Sequence, residues 1–325
     1  MDNANSAQEH LLIKDIKPGL EILQFFQLSS METRKTKTGQ DYLNLSLSDR
    51  SGSITAKVWS NILKMTKLNF DTGDFVKVKA STQLFGDILQ LNIDRIRKAE
   101  ASELPDLNRL VRKTVFDTDM LYEQILQAVE LLDPPELSEF VRKVIETNSY
   151  KFKTYPAAKR IHHAYLGGFI EHTYTVTMKV QALIDLIPDI DASLAIAGAI
   201  LHDIGKLHEI DPDTKGRTVQ GRLKGHVMLG IEILRDAANE LEITSAPWFS
   251  ELEHILLSHH GEPEFGALVK PLTKEAILVH FIDNLDSKLK IIEEALEKTD
   301  ANGFSDYNKY LEGRAFAGSH RLMEE

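Results

Sequence analysis

Hydrophobic and polar residues alternate along the first hundred residues of the chain. Leu43, Leu45 and Leu47 alternate with polar residues, and Ile54 and Ala56 resume the alternation after a turn signal at residues 49–52. A period of two is typical of β-strands with one buried face, and the turn predicts a hairpin. The pattern predicts strands at residues 22–35, 43–48, 54–58, 75–82 and 87–96, with a short helix at 62–68.

Five strands with a helix between the third and the fourth have the element order of an OB-fold, so residues 1–98 are predicted to form a five-stranded OB-fold β-barrel. Aromatic and basic residues alternate among those predicted to face outward, which is typical of single-stranded nucleic-acid binding. Alternatively, Trp59 and Phe85 belong to the core and the lysines only solvate the surface. The candidate nucleic-acid-binding residues are Arg34, Lys35, Lys37, Tyr42, Lys57, Trp59, Lys77, Lys79 and Phe85.

The hydrophobic period becomes that of a helix beyond residue 116. Leu121, Ile125 and Val129 fall on one helical face, and the two prolines at 134–135 end that helix. Helical patterns continue to about residue 298, broken by prolines. We therefore predict a multidomain α and β protein, with a linker at 99–116 and an all-α domain at 117–325 that ends in a helical tail.

The composition of the 325-residue chain is that of an ordinary soluble globular protein, with 42% hydrophobic and 27% charged residues. No apolar run approaches the roughly 20 residues that span a membrane, and residues 1–10 lack the basic and apolar regions of a signal peptide. The absence of cysteine excludes disulfides, thiol nucleophiles and cysteine-based zinc sites. These features predict a cytoplasmic protein.

Charge is distributed unevenly along the chain. The net charge of −11 argues against nucleic-acid binding, because such proteins usually carry a basic surface. Residues 1–100, however, hold 14 Lys and Arg against 12 Asp and Glu, a net charge of +2, whereas residues 101–325 hold 24 against 37, a net charge of −13. The asymmetry predicts separate roles for the two parts.

Ten of the twelve histidines lie between residues 162 and 280. His202 and Asp203 follow an apolar stretch that is predicted to be a buried helix, and a buried pair of this kind is costly unless it is paired or binds metal. Without cysteine, a metal would be held by imidazole and carboxylate. His259 and His260 can share one site only near a helix end, and Gly261 supplies one.

The ordered set of histidines and aspartates resembles the HD superfamily of metal-dependent phosphohydrolases. That resemblance implies two divalent ions bridged by Asp203; Mn²⁺ fits such ligands, and Fe²⁺ or Co²⁺ can substitute. The implied ligands are His172, His202, Asp203 and Asp283 for one ion and His226, His259 and His260 for the other. If only one of the two adjacent histidines is a ligand, the other contacts phosphate.

The same resemblance implies hydrolysis of a phosphodiester by a metal-activated hydroxide, with Asp203 and Lys206 as catalytic residues. Lys206 lies one helical turn past the His-Asp pair and would bind the scissile phosphate; alternatively, it is a surface lysine. Arg160, His162 and His163 line the substrate channel in one interpretation and form an exposed basic helix end in the other.

An OB-fold and an HD domain on one chain resemble the YhaM family of bacterial 3′→5′ exoribonucleases. The likeness covers almost the whole chain and rests on residues 161–168, 171–173, 202–206, 259–261, 283–288 and 304–311. It implies Mn²⁺-dependent removal of 3′-terminal nucleotides as 5′-monophosphates, from single-stranded RNA and sometimes single-stranded DNA, by a homo-oligomer. Two alternatives stay open: an HD-type nucleotide or cyclic-nucleotide phosphohydrolase, and a non-catalytic OB-fold single-strand-binding protein.

Overall fold

A computed structural model of the chain describes residues 10–36, 38–66, 68–86, 88–104, 110–158, 163–211, 216–297, 299–300 and 302–318. The chain divides into two compact units between Lys113 and Thr114. No helix among the described residues is both long and apolar enough to cross a membrane.

The first unit is a closed barrel of five strands. Its elements are β1 (Glu21–Lys35), β2 (Asp41–Asp49), β3 (Gly52–Val58), α1 (Ser60–Leu63), β4 (Phe75–Phe85) and β5 (Ile88–Lys98). The strands neighbour one another in the order β1-β2-β3-β5-β4, and β3 runs parallel to β5. This arrangement confirms the predicted OB-fold.

The alternation seen in the sequence builds the interior of the barrel. Leu43, Leu45 and Leu47 of β2 are buried together with Ile54 and Val58 of β3. The residues between those of β2 are partly exposed, as expected for strands with one face on a core. Removal of these apolar faces from water is the main stabilising contribution to the barrel.

Asp49 ties the segment before β1 to the barrel. This buried carboxylate accepts a hydrogen bond from the Ile13 amide at 2.7 Å and contacts His10 Nε2 at 3.2 Å. It also accepts hydrogen bonds from the amide and hydroxyl of Ser51, at 2.7 and 2.6 Å. Burial would raise the pKa of Asp49, but these hydrogen bonds hold it below its usual value.

The linker at residues 99–116 stays a prediction, and both of its ends make hydrogen bonds to folded parts of the chain. Glu103 accepts hydrogen bonds from Arg97 at 2.6 Å and Lys77 at 3.2 Å, and the bond from Arg97 is the main cause that lowers its pKa to about 2. At the other end, the Thr114 amide donates to the Leu166 carbonyl at 2.9 Å. Residues 105–109 lie outside the described residues.

The second unit is made of helices around one hydrophobic core, in which Phe140, Phe152 and Phe169 are fully buried. Its helices are α2 (Thr118–Glu130), α3 (Pro135–Thr147), α4 (Ser149–Thr154), α5 (Gly168–Ile184), α6 (Ala192–Leu201), α7 (Lys206–Glu209), α8 (Val219–Glu240), α9 (Pro247–Ser258) and α10 (Lys274–Ala295). Helix α6 is apolar and contacts α5, α9 and α10, so the residues that follow it lie deep in the unit.

The predicted helical tail is wrong, because the described part of the chain ends in a β-hairpin. Strand β6 (Phe304–Asn308) pairs antiparallel with β7 (Gly313–Phe316). The rings of Phe304 and Phe316 have centroids 4.8 Å apart, and aromatic cross-strand pairs stabilise a hairpin. Asp300 accepts hydrogen bonds from the Phe304 amide and from Arg314, which fixes the start of β6.

Candidate metal centre

Four of the predicted ligands meet in the second unit. His172 lies in α5, His202 and Asp203 directly follow α6, and Asp283 lies in α10. His172 Nε2 is 3.2 Å from His202 Nε2, 3.5 Å from Asp203 Oδ2 and 3.2 Å from Asp283 Oδ1. This first cluster (His172, His202, Asp203 and Asp283) brings together nitrogen and oxygen atoms of the kind that hold a divalent ion.

A second cluster consists of His226, His259 and His260, whose ring nitrogens lie within 4.8 Å of one another. Helix α9 ends at Ser258, so the two histidines that follow it can face the same space. His226 Nε2 is 2.9 Å from His260 Nε2. Non-helical backbone at Gly225, with φ of 73° and ψ of 162°, interrupts α8 directly before His226. Breaks in two helices therefore bring these three rings together.

Asp203 contacts both clusters through its two carboxylate oxygens. Oδ2 is 3.5 Å from His172 Nε2 and 3.4 Å from His202 Nε2, whereas Oδ1 is 3.7 Å from His226 Nε2 and 3.6 Å from His259 Nε2. Both Oδ1 and His259 Nε2 are buried, and neither has a hydrogen-bond partner among the described residues. A buried carboxylate oxygen and a buried ring nitrogen that face each other without hydrogen bonds are expected at a site that binds a cation.

Four of these histidines have an acceptor at Nδ1. The acceptor fixes the proton on that nitrogen, so Nε2 presents a lone pair to the site. Lone pairs repel each other at the 3.2 Å between His172 Nε2 and His202 Nε2 unless a positive charge lies between them. The residues therefore fit divalent metal ions. The Nδ1 contacts are His172 to Asp286 Oδ2 at 2.7 Å, His202 to the Ala199 carbonyl at 2.8 Å, His226 to Glu209 Oε2 at 3.2 Å and His259 to the Leu256 carbonyl at 2.7 Å.

The carboxylates of the first cluster attract positive charge. Burial would lower the pKa of His172, but Asp203, Asp283 and Asp286 together raise it well above its usual value. Burial would raise the pKa of Asp203, but Lys206 and the neighbouring imidazoles hold it well below its usual value. Burial would also raise the pKa of Asp283, but His172 and His202 hold it below its usual value. The carboxylates therefore stay ionised and favour a proton or a cation at His172.

Burial dominates the second cluster. It lowers the pKa of His259 despite the nearby Asp203, and, with the charges of His259 and His226, it lowers the pKa of His260 to about 2. Both rings are therefore uncharged at neutral pH, as metal ligands must be.

Lys206 faces the first cluster. Its Nζ lies 2.5 Å from Asp203 Oδ2, and its side chain is 14% exposed, so the alternative of a surface lysine is wrong. Burial would lower the pKa of Lys206, but Asp203 and Asp283 raise it, so the ammonium stays charged. Gly205 lets α7 approach α8, since a Cβ there would lie 1.9 Å from the His226 carbonyl oxygen.

His163 is buried, so the interpretation as an exposed helix end is wrong, whereas its place in a substrate channel stays a prediction. The residue is 2% exposed, with Nε2 3.1 Å from Asp286 Oδ2 and Nδ1 3.2 Å from the Tyr165 hydroxyl. Burial is the main reason that its pKa lies below the usual value. Arg160 and His162, predicted beside it, lie outside the described residues.

Asp286 holds His172 but was not among the predicted site residues. Its burial would raise its pKa, but His163, His172 and Lys179 hold that pKa well below the usual value. A signal for it exists in the sequence, because a spacing of three from Asp283 places both carboxylates on one face of α10.

Glu209 holds His226 of the second cluster in the same way, and it too was not among the predicted site residues. Its Oε2 lies 3.2 Å from His226 Nδ1, and its Oε1 lies 2.8 Å from Arg217 Nε. It ends the short helix α7, and nothing in its spacing from the ligands marks it in the sequence.

Aromatic and basic side chains form a partly exposed patch on the barrel. Tyr42 and Trp59 have ring centroids 5.1 Å apart, and Lys57 Nζ lies 5.5 Å from the Trp59 ring centre and 4.8 Å from that of Phe85. Phe85 is 69% exposed and Trp59 is half-buried outside the core, so the alternative that both belong to the core is wrong. This aromatic patch (Tyr42, Lys57, Trp59 and Phe85) offers ring faces together with a cation.

Two predicted nucleic-acid-binding lysines lie on another side of the barrel. Lys77 and Lys79 are in the part of β4 that pairs with β1, whereas the aromatic patch is centred on β2 and β3. Lys77 donates to Glu103 at 3.2 Å, so its charge is already matched. Lys79 is exposed.

The basic loop after β1 is also partly neutralised. Arg34 bonds Glu32 at 2.8 Å, and Lys35 contacts Asp41 at 3.2 Å. Lys37 lies outside the described residues. These pairs are exposed, so each one is weak and can exchange for a phosphate.

Residues 169–288 match the HD domain family, and residues 29–99 match the family described as OB-fold nucleic acid binding domain. The chain is similar to a solved domain of replication protein A from Methanococcus maripaludis, with 22% identity and a TM-score of 0.24 over 28% of this chain and 97% of that one. It is also similar to a murine DNA binding protein, with 20% identity and a TM-score of 0.24 over 29% of this chain and 50% of that one. It is 30% identical to the 3′-5′ exoribonuclease YhaM of Bacillus subtilis (strain 168) over 299 residues, which are 92% of this chain and 95% of the relative. The chain therefore belongs to the YhaM family.

Proposed function

We propose that this protein is a metal-dependent 3′→5′ exoribonuclease that hydrolyses single-stranded RNA to nucleoside 5′-monophosphates. The observation that carries the proposal is the pair of histidine clusters that Asp203 joins, with atoms oriented for cations. The relative that is similar over 92% of the chain is named a 3′-5′ exoribonuclease, which supports the direction of cleavage and the substrate.

The two clusters would hold two divalent ions, which would supply positive charge at the scissile phosphate and lower the pKa of a nearby water. We propose Mn²⁺, with Fe²⁺ or Co²⁺ as substitutes, because the donors are imidazole nitrogen and carboxylate oxygen without sulfur. The first ion would be held by His172, His202, Asp203 and Asp283, and the second by His226, His259 and His260, with Asp203 shared.

Residues of the chain orient and charge this site. Asp286, Glu209 and the helix carbonyls keep the imidazole rings in place through their Nδ1 protons. Lys206 adds a fixed positive charge beside Asp203. Its ammonium would contact an oxygen of the scissile phosphate and stabilise the negative charge that develops in the transition state.

The barrel would recruit the strand and the helical unit would cut its end. Residues 101–325 carry a net charge of −13, so this part repels a polyanion except at its metal centre. The aromatic patch would bind bases by stacking, which tolerates any sequence and extends to single-stranded DNA. A homo-oligomer and a cytoplasmic location are further proposals, supported by the family likeness and by the absence of cysteine.

The test incubates the Mn²⁺-loaded full chain with 5′-end-labelled single-stranded RNA, with DNA of the same sequence, and with nucleotides and cyclic nucleotides. We expect labelled RNA that shortens stepwise from its 3′ end and releases 5′-monophosphates. Hydrolysis of nucleotides alone would overturn the proposal in favour of a nucleotide phosphohydrolase. Binding without cleavage would overturn it in favour of a single-strand-binding protein.

Asp203→Ala tests the metal centre in the same assay. We expect activity to be lost, because the substitution removes the carboxylate that contacts both clusters. Asp236→Ala is the matched control, since that residue is exposed on α8. Full activity of the Asp203 variant with its metal still bound would show that the site is assigned wrongly.

A further inference from the structure

We propose that Asp286 is a positioning residue for the metal ligand His172, and that His163 acts on the metal centre only through Asp286. The inference rests on the proposed function, because it concerns the support of the same site. It assigns a role to a buried group of charges that neither binds metal in the proposed mechanism nor contacts substrate.

Asp286 is a shared acceptor. Its Oδ2 lies 2.7 Å from His172 Nδ1 and 3.1 Å from His163 Nε2, and its Oδ1 accepts a hydrogen bond from Lys179. An ionised carboxylate can only accept, so both imidazole nitrogens that face it carry protons. With the proton on Nδ1, the lone pair of His172 Nε2 is available to a cation that Asp203 and Asp283 also contact.

The backbone of His163 adopts an unfavourable conformation, which places its ring beside Asp286. His163 has a φ of 56°, in the left-handed region that residues with a Cβ avoid. Its carbonyl also packs against Gly168, where an added Cβ would lie 2.1 Å from the carbonyl oxygen. Backbone strain of this kind persists where the surroundings fix it, and it concentrates at functional sites.

The group of His163, His172 and Asp286 also has the spacing of a metal site, with ligand atoms within 4.8 Å of one another. The Lys179 ammonium, however, already neutralises Asp286. The Tyr165 hydroxyl lies 3.2 Å from the remaining ring nitrogen of His163, and it donates to Glu171 at 2.8 Å. This group is therefore a hydrogen-bonded support behind the first cluster.

Asp286→Asn in the full chain is the first test, with Mn²⁺ affinity measured by calorimetry in the absence of RNA. We expect the dissociation constant to rise about 10- to 100-fold, as is usual when an outer partner of a ligand histidine is changed. At saturating Mn²⁺, kcat recovers towards the wild-type value and KM for RNA is unchanged. Glu275→Gln is the matched control, because Glu275 is a buried carboxylate in the same helix that accepts only from the Asp191 amide among the bonds described, at 2.8 Å.

His163→Asn is the second test, because Asn tolerates the left-handed backbone better than most residues. We expect a smaller rise in the dissociation constant than Asp286→Asn gives. The double variant is expected to bind Mn²⁺ as weakly as Asp286→Asn alone, since residues that act through one another are not additive. If Asp286→Asn fails to fold, His163→Asn still tests the support.

Three results would overturn the proposal: unchanged Mn²⁺ affinity in either variant, additive effects in the double variant, or loss of kcat that saturating Mn²⁺ does not restore. Absence of Mn²⁺ binding by the wild-type chain would overturn it as well. A wild-type chain that binds Mn²⁺ but leaves RNA intact would instead contradict the proposed exoribonuclease and leave the affinity comparison decisive for Asp286.

Discussion

At the scale of single residues, four of the five candidate ligand histidines depend on a hydrogen-bond acceptor at Nδ1. His202 and His259 are held by backbone carbonyls three residues earlier in their own helices. His172 and His226 are held by carboxylates from elsewhere in the chain. A side-chain substitution does not remove a backbone carbonyl, so the helices themselves fix the rings of His202 and His259. The rings of His172 and His226 are instead sensitive to mutation of their carboxylate partners.

Lys206→Met is expected to lower kcat for RNA by about 100- to 1000-fold, the range observed when one charge-stabilising group is removed from a transition state. The reason is the fixed ammonium beside Asp203, which no other side chain replaces after the substitution. KM for RNA should change little, because the barrel holds the strand. Steady-state hydrolysis at saturating Mn²⁺ separates the two constants.

Lys224→Met is the control for this substitution. Lys224 is an exposed lysine that bonds Glu232 at 2.7 Å, and its loss should leave kcat unchanged. If the two variants have equal kcat values, Lys206 has no role in catalysis.

The sequence predicts the candidate metal ligands better than it predicts the residues that hydrogen-bond to those ligands. The order of histidines and aspartates follows a family pattern, and the structure brings those residues together in two clusters. The bond between His163 and Asp286 joins positions 123 residues apart, so it exists only once α10 packs in the folded unit. No local pattern around His163 distinguishes a buried support from an exposed cation.

At the scale of elements, the end of α9 depends on Gly261. Gly261→Ala is expected to destabilise the helical unit by about 1–3 kcal/mol and to weaken Mn²⁺ binding. The residue has a φ of 78°, and an added Cβ would lie 2.3 Å from His280 Cε1. His280 Nδ1 lies 2.7 Å from the His259 carbonyl, so a displaced His280 ring disturbs a ligand. Denaturant unfolding and Mn²⁺ titration measure the two effects.

Gly39→Ala separates backbone strain from collision. Gly39 has a φ of 81°, but an added Cβ would meet nothing within 4 Å. Equal losses of stability in the two variants would mean that contact with His280 contributes nothing.

Asp49→Asn is expected to weaken the barrel at neutral pH and to flatten its pH dependence below about pH 4. The folded pKa of Asp49 is lowered, so its carboxylate adds stability above the unfolded pKa, and this stability is lost as the pH falls through the folded pKa. Acid titration followed by Trp59 fluorescence measures the barrel in a Trp248→Phe background, where Trp59 is the remaining tryptophan.

The exposed Asp41, paired with Lys35 at 3.2 Å, provides the comparison. Asp41→Asn should leave the acid transition nearly unchanged, because surface ion pairs contribute little. An acid transition that is the same in the wild type and in Asp49→Asn would contradict the role given to the buried carboxylate.

The barrel strands could be predicted and the tail hairpin could not, for reasons of length. Strands β1 to β5 have seven to fifteen residues, enough for several repeats of the two-residue period. Strands β6 and β7 have five and four residues, and in each only one residue is buried. A hairpin of this size is stabilised by side-chain pairs such as Phe304 with Phe316, which alternation does not reveal.

At the scale of the whole molecule, binding and cleavage are assigned to different units. Trp59→Ala is expected to raise KM for long single-stranded RNA by about 5- to 150-fold, which corresponds to about 1–3 kcal/mol for one lost base stack. Hydrolysis of a dinucleotide should be unchanged, since it does not need the barrel. Steady-state kinetics on the two substrates measures this difference.

Tyr150→Ala supplies the matched control, because Tyr150 is an aromatic residue of the helical unit that is 74% exposed. It should leave both kinetic constants unchanged. If Trp59→Ala slows dinucleotide hydrolysis as much as hydrolysis of long RNA, the division of labour between the units is wrong.

The uneven charge of the chain also bears on what leaves the enzyme after each cut. A released nucleoside monophosphate carries roughly two negative charges at neutral pH, and it is no longer joined to the strand. Residues 101–325, with their net charge of −13, repel it into solvent. In the proposed mechanism, the shortened RNA would stay stacked on the barrel. Electrostatic repulsion acts on both anions, but the proposed binding to the barrel offsets it for the RNA and not for the released product. This difference favours processive digestion, in which one strand loses several nucleotides during a single encounter.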